Sequence, residues 1–169
     1  MKQFRVAVTV VLAFFALGSS SADESWVVRA DGAGPIRIGM TLEQLNKALE
    51  EKFTGPERKD ETDCYYESMT KPPKLLLMML EGRLGRIEVK EPGIKTASGI
   101  QVGDSEAKAQ KAYGARLKIE PHKYVDNGRY LTVKTSDRRR GIRFETENGK
   151  ITRYYAGRYD AIQFVEGCQ

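Results

Sequence analysis

The stretches 36–49 and 100–113 follow one plan. Each runs from a short extended segment into a glycine (Gly39, Gly103), then a hydroxyl residue (Thr41, Ser105), then a helix-like pattern. A unit that occurs twice must fold twice and pack against its own copy, so this repetition constrains the chain more than its composition does. The expected class is α+β: two tandem helix-plus-antiparallel-sheet repeats, with helices packed on one side of the sheet. Residues 23–93 would form the first repeat and 94–169 the second, in one compact domain.

Within each repeat the local signals are specific. Thr41 with Gln44 makes a capping box, in which each side chain satisfies a backbone N–H at the helix start. Leu42, Leu45, Leu49 and Phe53 then line one helical face, and Gly55-Pro56 ends it. The segment 57–61 is a charged, solvated connector. Strands are expected over 64–69, 75–80 and 84–90. The middle one, Leu75-Leu-Leu-Met-Met-Leu80, is apolar on both faces, so it should be central and covered on both sides. The second helix spans 106–113 and closes on Gly114.

Two Asn-Gly pairs, Asn127-Gly128 and Asn148-Gly149, read as two-residue hairpin turns. The first would set Tyr124 opposite Leu131 and His122 opposite Val133 on the core side. The second would set Ile142 opposite Tyr155 and Phe144 opposite Arg153 there, leaving Arg143 opposite Tyr154 outside. Residues 161–165 would add a last strand.

The chain opens with Lys2 and Arg5, runs apolar from Val6 to Leu17, and reaches Ser19-Ser-Ser-Ala22. That is a secretory signal peptide over 1–22. No cysteine follows it to carry a lipid, and no later segment is long enough to span a bilayer, so a soluble periplasmic or secreted protein is expected. The two cysteines, Cys64 and Cys168, would most simply form a disulfide in that compartment, the alternatives being a redox pair or an intermolecular link. The formal charge is +5, of which Lys2 and Arg5 belong to the signal peptide. So mild an excess in an exported chain does not point to nucleic acid.

The helix-start residues Ile38-Gly39-Met40-Thr41 with Gln44-Leu45, and more weakly Val102-Gly103-Asp104-Ser105, resemble the tandem-repeat β-lactamase-inhibitor-protein-like fold. The same motif is similar to that of outer-membrane assembly lipoproteins of the SmpA/OmlA type. The resemblance implies a small exported two-repeat domain that binds proteins through a concave sheet and its loops. The chain departs from the lipoproteins in lacking a lipidated cysteine. It departs from the inhibitors in having one inter-repeat cysteine pair instead of one pair per repeat, and no inhibitory hairpin residue maps onto it.

Catalytic chemistry needs a nucleophile with a base, a carboxylate pair or a metal cluster. The single histidine, His122, has no partner at recognisable spacing, and no zinc-ligand pattern exists. The expectation is therefore a binding protein, with no enzyme activity, cofactor or metal. Tyr130, Tyr154 and Arg143 fall on the outer face in the expected register, and tyrosine and arginine dominate interface hot spots. Arg138-Arg139-Arg140 in the loop between strands is either a solvated connector or an anion clamp. These residues would hold another envelope or secreted protein, as inhibitor or accessory factor. The alternative is an envelope component that binds an anionic glycan or lipid through the arginine loop.

Overall fold

The computed structural model describes residues 26–56 and 63–168; the expected signal peptide and the charged connector 57–61 lie outside the described residues. Three two-residue strands, β1 (Val28–Arg29), β2 (Gly32–Ala33) and β3 (Ile36–Arg37), make a small antiparallel sheet. After α1 (Leu42–Leu49) come β4 (Cys64–Ser68), β5 (Leu76–Leu80) and β6 (Arg83–Val89). After α2 (Glu106–Tyr113) come β7 (Leu117–Pro121), β8 (Gly128–Lys134), β9 (Arg140–Glu147) and β10 (Lys150–Arg158). The last seven strands form one antiparallel sheet in the order β4-β5-β6-β10-β9-β8-β7. The chain is α+β, mostly antiparallel sheet with two short helices.

The caps behave as their residues dictate. Thr41 N–H donates to Gln44 Oε1 at 2.9 Å, and Thr41 Oγ1 accepts from Gln44 N–H at 3.3 Å. Helix α1 stops at Leu49, before Gly55-Pro56, because Glu50 turns left-handed at φ 52°. Phe53 still reaches the core, since the Asn46 side chain binds both its N–H (2.8 Å) and its C=O (2.9 Å). One core cluster unites Leu45 of α1 and Ala109 and Tyr113 of α2 with Leu77, Ile87, Leu131, Phe144 and Tyr154 of the sheet. Strand β5 is covered on both faces: Leu77 and Met79 join this cluster, while Met78 and Leu80 pack with Ala161. It lies second from the sheet edge, not at the centre.

Both helix starts dock on the sheet in the same way. Gly39 N–H donates to Leu84 C=O (2.8 Å), and Leu84 N–H to Met40 C=O (2.8 Å). Gly103 N–H donates to Ile151 C=O (2.8 Å), and Ile151 N–H to Asp104 C=O (2.9 Å). Immediately after each docked residue the strand carries one unpaired residue, Gly85 in β6 and Thr152 in β10. Such a bulge turns every later side chain to the opposite face.

That bulge corrects the expected register of the second hairpin. Its turn is a two-residue one, with Asn148 at φ 49° and Gly149 at φ 77°, and Ile151 does face Thr146. Beyond Thr152 the pairing moves by one: Arg153 faces Glu145, Tyr154 faces Phe144 and Tyr155 faces Arg143. Tyr154 therefore points into the core and Tyr155 away from it.

The first hairpin is corrected too. Strand β7 ends at Pro121, and Leu117, not His122, faces Val133. Asn127-Gly128 is not the centre of a two-residue hairpin turn; the tight turn is at 125–128, closed by Gly128 N–H donating to Val125 C=O at 2.9 Å. Gly128 opens β8, where a Cβ would lie 2.7 Å from the Thr146 carbonyl oxygen. Leu131 and Val133 do reach the core, but His122 sits on the other face, stacked on Tyr130. In place of a last strand, residues Ala161–Gln163 form a 3₁₀ turn.

Candidate binding site

Opposite the core face, the large sheet carries alternating charged and aromatic residues: Arg86 and Glu88 on β6, Arg153 and Tyr155 on β10, Arg143 and Glu145 on β9. The chain after β10 crosses this face as a strap, secured by the Cys64–Cys168 disulfide (Cα–Cα 5.3 Å). The disulfide is compatible with an exported protein, and no helix among the described residues is long and apolar enough to cross a membrane.

Of these charges all but Arg153 are buried, so each buried one needs a partner. Arg86, 2% exposed, donates through Nη1 to the carbonyls of Ala161 (2.9 Å) and Phe164 (2.8 Å). Its Nη2 donates to Tyr66 Oη at 2.7 Å and pairs with Glu88. The guanidinium lies over the Tyr155 ring, 4.2 Å from its centroid, a cation–π contact strengthened by loss of water. Arg143 repeats the arrangement over Tyr130 at 4.1 Å, donating through Nη1 to Gln163 Oε1 at 2.6 Å. Glu145 accepts from the Tyr155 hydroxyl and, at 2.7 Å, from Arg153 Nε, with His122 Nε2 at 3.4 Å. Burial pushes the Tyr66 hydroxyl up to about 12, and burial with the Glu145 carboxylate beside it raises Tyr155 further.

The loop after β7 meets the strap. Tyr124 donates to Glu166, and Lys123 Nζ lies 3.6 Å from the same carboxylate. Two clefts open on this face. One, of about 360 Å³, is lined by Tyr66, Arg86, Glu88, Tyr155 and the strap residues Val165, Glu166 and Gly167. The other, of about 350 Å³, is lined by His122, Val125, Glu145, Thr146, Glu147 and Thr152. Lys90 and Arg153 line both.

The residues singled out from the sequence are divided among three places. Tyr130 and Arg143 do come together on the polar face, yet they are 4% and 6% exposed, stacked on each other and covered. Tyr154 is fully buried on the core face, its hydroxyl donating to Ile94 C=O at 3.1 Å. Arg138 and Arg139 lie exposed in the β8–β9 turn, with Arg139 Nε 3.5 Å from Asp137, and half-buried Arg140 starts β9 opposite Arg158. This turn is at the far end of β9 from Glu145.

Sequence reasoning missed Arg86, Glu88, Lys90, Glu145, Arg153 and Tyr155. The signal was present: Arg86-x-Glu88 and Arg143-x-Glu145 place charges two apart in otherwise apolar strands, which puts them together on one face.

The floor carboxylates are engaged, Glu88 by Arg86 and Glu145 by Arg153 and Tyr155. Among the described residues no group of three His, Cys, Asp or Glu stands ready to hold a metal. The arrangement can recognise polar groups through the exposed cations that line both clefts. No protein-family model matches the chain, and no curated protein or solved structure matches it.

Proposed function

We propose that the chain is an exported, non-catalytic binding component of the cell envelope, and that it holds a ligand in the two clefts of the polar sheet face. One observation carries the reading: the two clefts share Lys90 and Arg153, cations that reach solvent from a floor whose carboxylates are already engaged. The Arg–Glu–Tyr floor is cross-linked by its own hydrogen bonds, so the site is organised before anything binds. A flat protein-docking face built on Tyr130, Arg143 and Tyr154 is less favoured, because those side chains are consumed by internal packing.

On this reading the chain is two tandem helix-plus-sheet repeats with both helices on one side of the sheet. The matched docking of Gly39 on Leu84 and Gly103 on Ile151 supports this, as does the bulge that follows each. The likeness to the β-lactamase-inhibitor-protein-like fold is kept in that architectural sense only.

The test is capture from envelope extract with the exported, disulfide-bonded chain as bait, followed by mass spectrometry of what is released on denaturation. A glycan or other small ligand is expected, lost when Lys90 and Arg153 are both replaced by Gln. A stoichiometric protein whose capture ignores those changes, or chemical turnover of a bound compound, would sink the proposal.

A further inference from the structure

The ridge between the two clefts has a charge balance that narrows the ligand. Arg86 and Glu88 pair, and Arg153 and Glu145 pair, so Lys90, which shares Glu88 with Arg86, puts the ridge one positive charge in excess. Lys90 is 52% exposed, and its contact with Glu88 is long, at 3.9 Å. Arg153 is 42% exposed, lines both clefts and pairs with Glu145 through Nε, while its two Nη groups have no hydrogen-bond partner among the described residues. Arg86, which lines the first cleft, has a buried Nε with no hydrogen-bond partner among the described residues. Donors therefore outnumber acceptors on this ridge.

The rim has the opposite character. Glu147 lines the second cleft and Glu91 flanks Lys90 in a neighbouring depression, while Glu166, which lines the first cleft, is engaged by Tyr124 and Lys123. A ligand with negative charge along its whole length would meet these carboxylates, and like charges oppose one another at such range. One acidic group at the ridge, with neutral hydroxyl-bearing units to either side, satisfies both zones. The cleft volumes are of the size that takes small-molecule units.

From this we infer that the site binds an acidic oligosaccharide: the carboxylate of one uronic acid residue sits between Lys90 Nζ and the Arg153 guanidinium, and a neutral sugar occupies the cleft on each side. The inference rests on the proposed function, since it names the ligand class of that same site. A guanidinium pairs with a carboxylate through two parallel hydrogen bonds, a geometry that phosphate also accepts but a neutral amide does not. The experiment must separate these.

The test is titration calorimetry on the exported chain with three probes: a trisaccharide holding one glucuronate between two neutral sugars, its glucuronamide counterpart, and inorganic phosphate. The acid trisaccharide is expected to bind, and the amide to bind about tenfold more weakly, the loss expected for one charge-assisted hydrogen bond. Lys90→Gln should cost the acid trisaccharide a similar factor and leave the amide unchanged, and Arg139→Ala should alter neither. Lys90 is exposed, so its variant keeps the fold, which a thermal melt verifies. Equal binding of acid and amide overturns the inference, as does no binding of the acid, phosphate binding as tightly as the trisaccharide, or an Arg139→Ala loss equal to that of Lys90→Gln. If the inference fails while envelope capture still returns a ligand lost on changing Lys90 and Arg153, only the ligand class is wrong. If capture fails too, the binding reading falls with it.

Discussion

Arg86 is the residue on which the polar face closes. Its guanidinium is buried between a tyrosine ring, a carboxylate and two strap carbonyls, so its removal strands several groups at once. Arg86→Met should therefore cost on the order of 3–5 kcal/mol, the range for breaking a buried pair from one side. Urea unfolding measures it, and a loss no larger than that of a typical surface substitution would contradict the burial.

The tyrosines of the same sheet give a pH signature. Tyr66 is raised from its ordinary 10.0 to about 12 by burial, and Tyr154 and Tyr155 are raised further, also by burial first. Between the unfolded and folded values the native state holds protons that the unfolded chain has released. Stability should thus be flat below pH 10 with respect to these groups and fall as pH rises through 10–12 and beyond. Denaturation melts across that window, read with the ultraviolet absorbance of tyrosinate, check both the direction and the groups. None of these tyrosines could be identified as buried from composition, because the same residue types serve equally well on exposed strands.

At the scale of elements, the caps and turns are the part most legible beforehand, and they differ in weight. Thr41 is in a reciprocal box, whereas at Ser105 only the accepted hydrogen bond, from Lys108 N–H at 3.2 Å, is formed. Replacing either by Ala should cost about 1 kcal/mol, with Thr41→Ala the larger of the two, as thermal unfolding would show. The β6–β10 seam is tighter. A Cβ on Gly157 would come within 2.2 Å of the Gly85 carbonyl oxygen, a contact that backbone must move to relieve. Gly157→Ala should then destabilise by about 1–3 kcal/mol or more, the range for overpacking. A glycine inside a strand, as at Gly85 and Gly157, is a local sign of a bulge or a close backbone approach, whereas the bulge at Thr152 has no local signature. A bulge forms because a helix start far away in sequence binds the neighbouring residue, and no window around Thr152 contains Gly103.

For the whole molecule, the disulfide joins the start of the large sheet to the end of the chain across a sequence separation of 104 residues. Closing a loop of that length contributes about 4.7 kcal/mol in the chain-entropy account. Reduction, or the paired change of Cys64 and Cys168 to Ser, should lower the melting temperature. It should also loosen the strap, exposing Tyr155 and Arg86. Quenching of tyrosine fluorescence by acrylamide, compared before and after reduction, measures that exposure; an unchanged melt and unchanged quenching would mean the strap stays in place without its bond.

The sequence by itself determined the helix starts, the Asn148-Gly149 turn, the positions of β4, β5 and β6 to within a residue or two, and the α+β class. These depend on φ preferences, caps and side-chain alternation, all of which act within a few residues. Only the tertiary structure decided which face each late side chain takes. One extra residue in β10 sent Tyr154 inward and Tyr155 outward, and a long loop in place of an Asn-Gly turn carried His122 to the polar face. The strap then buried Tyr130 and Arg143, left Lys90 and Arg153 to solvent, and so moved the candidate site from the tyrosine–arginine face to the clefts. Docking between distant segments sets those choices, and their energies exist only once both partners are in place.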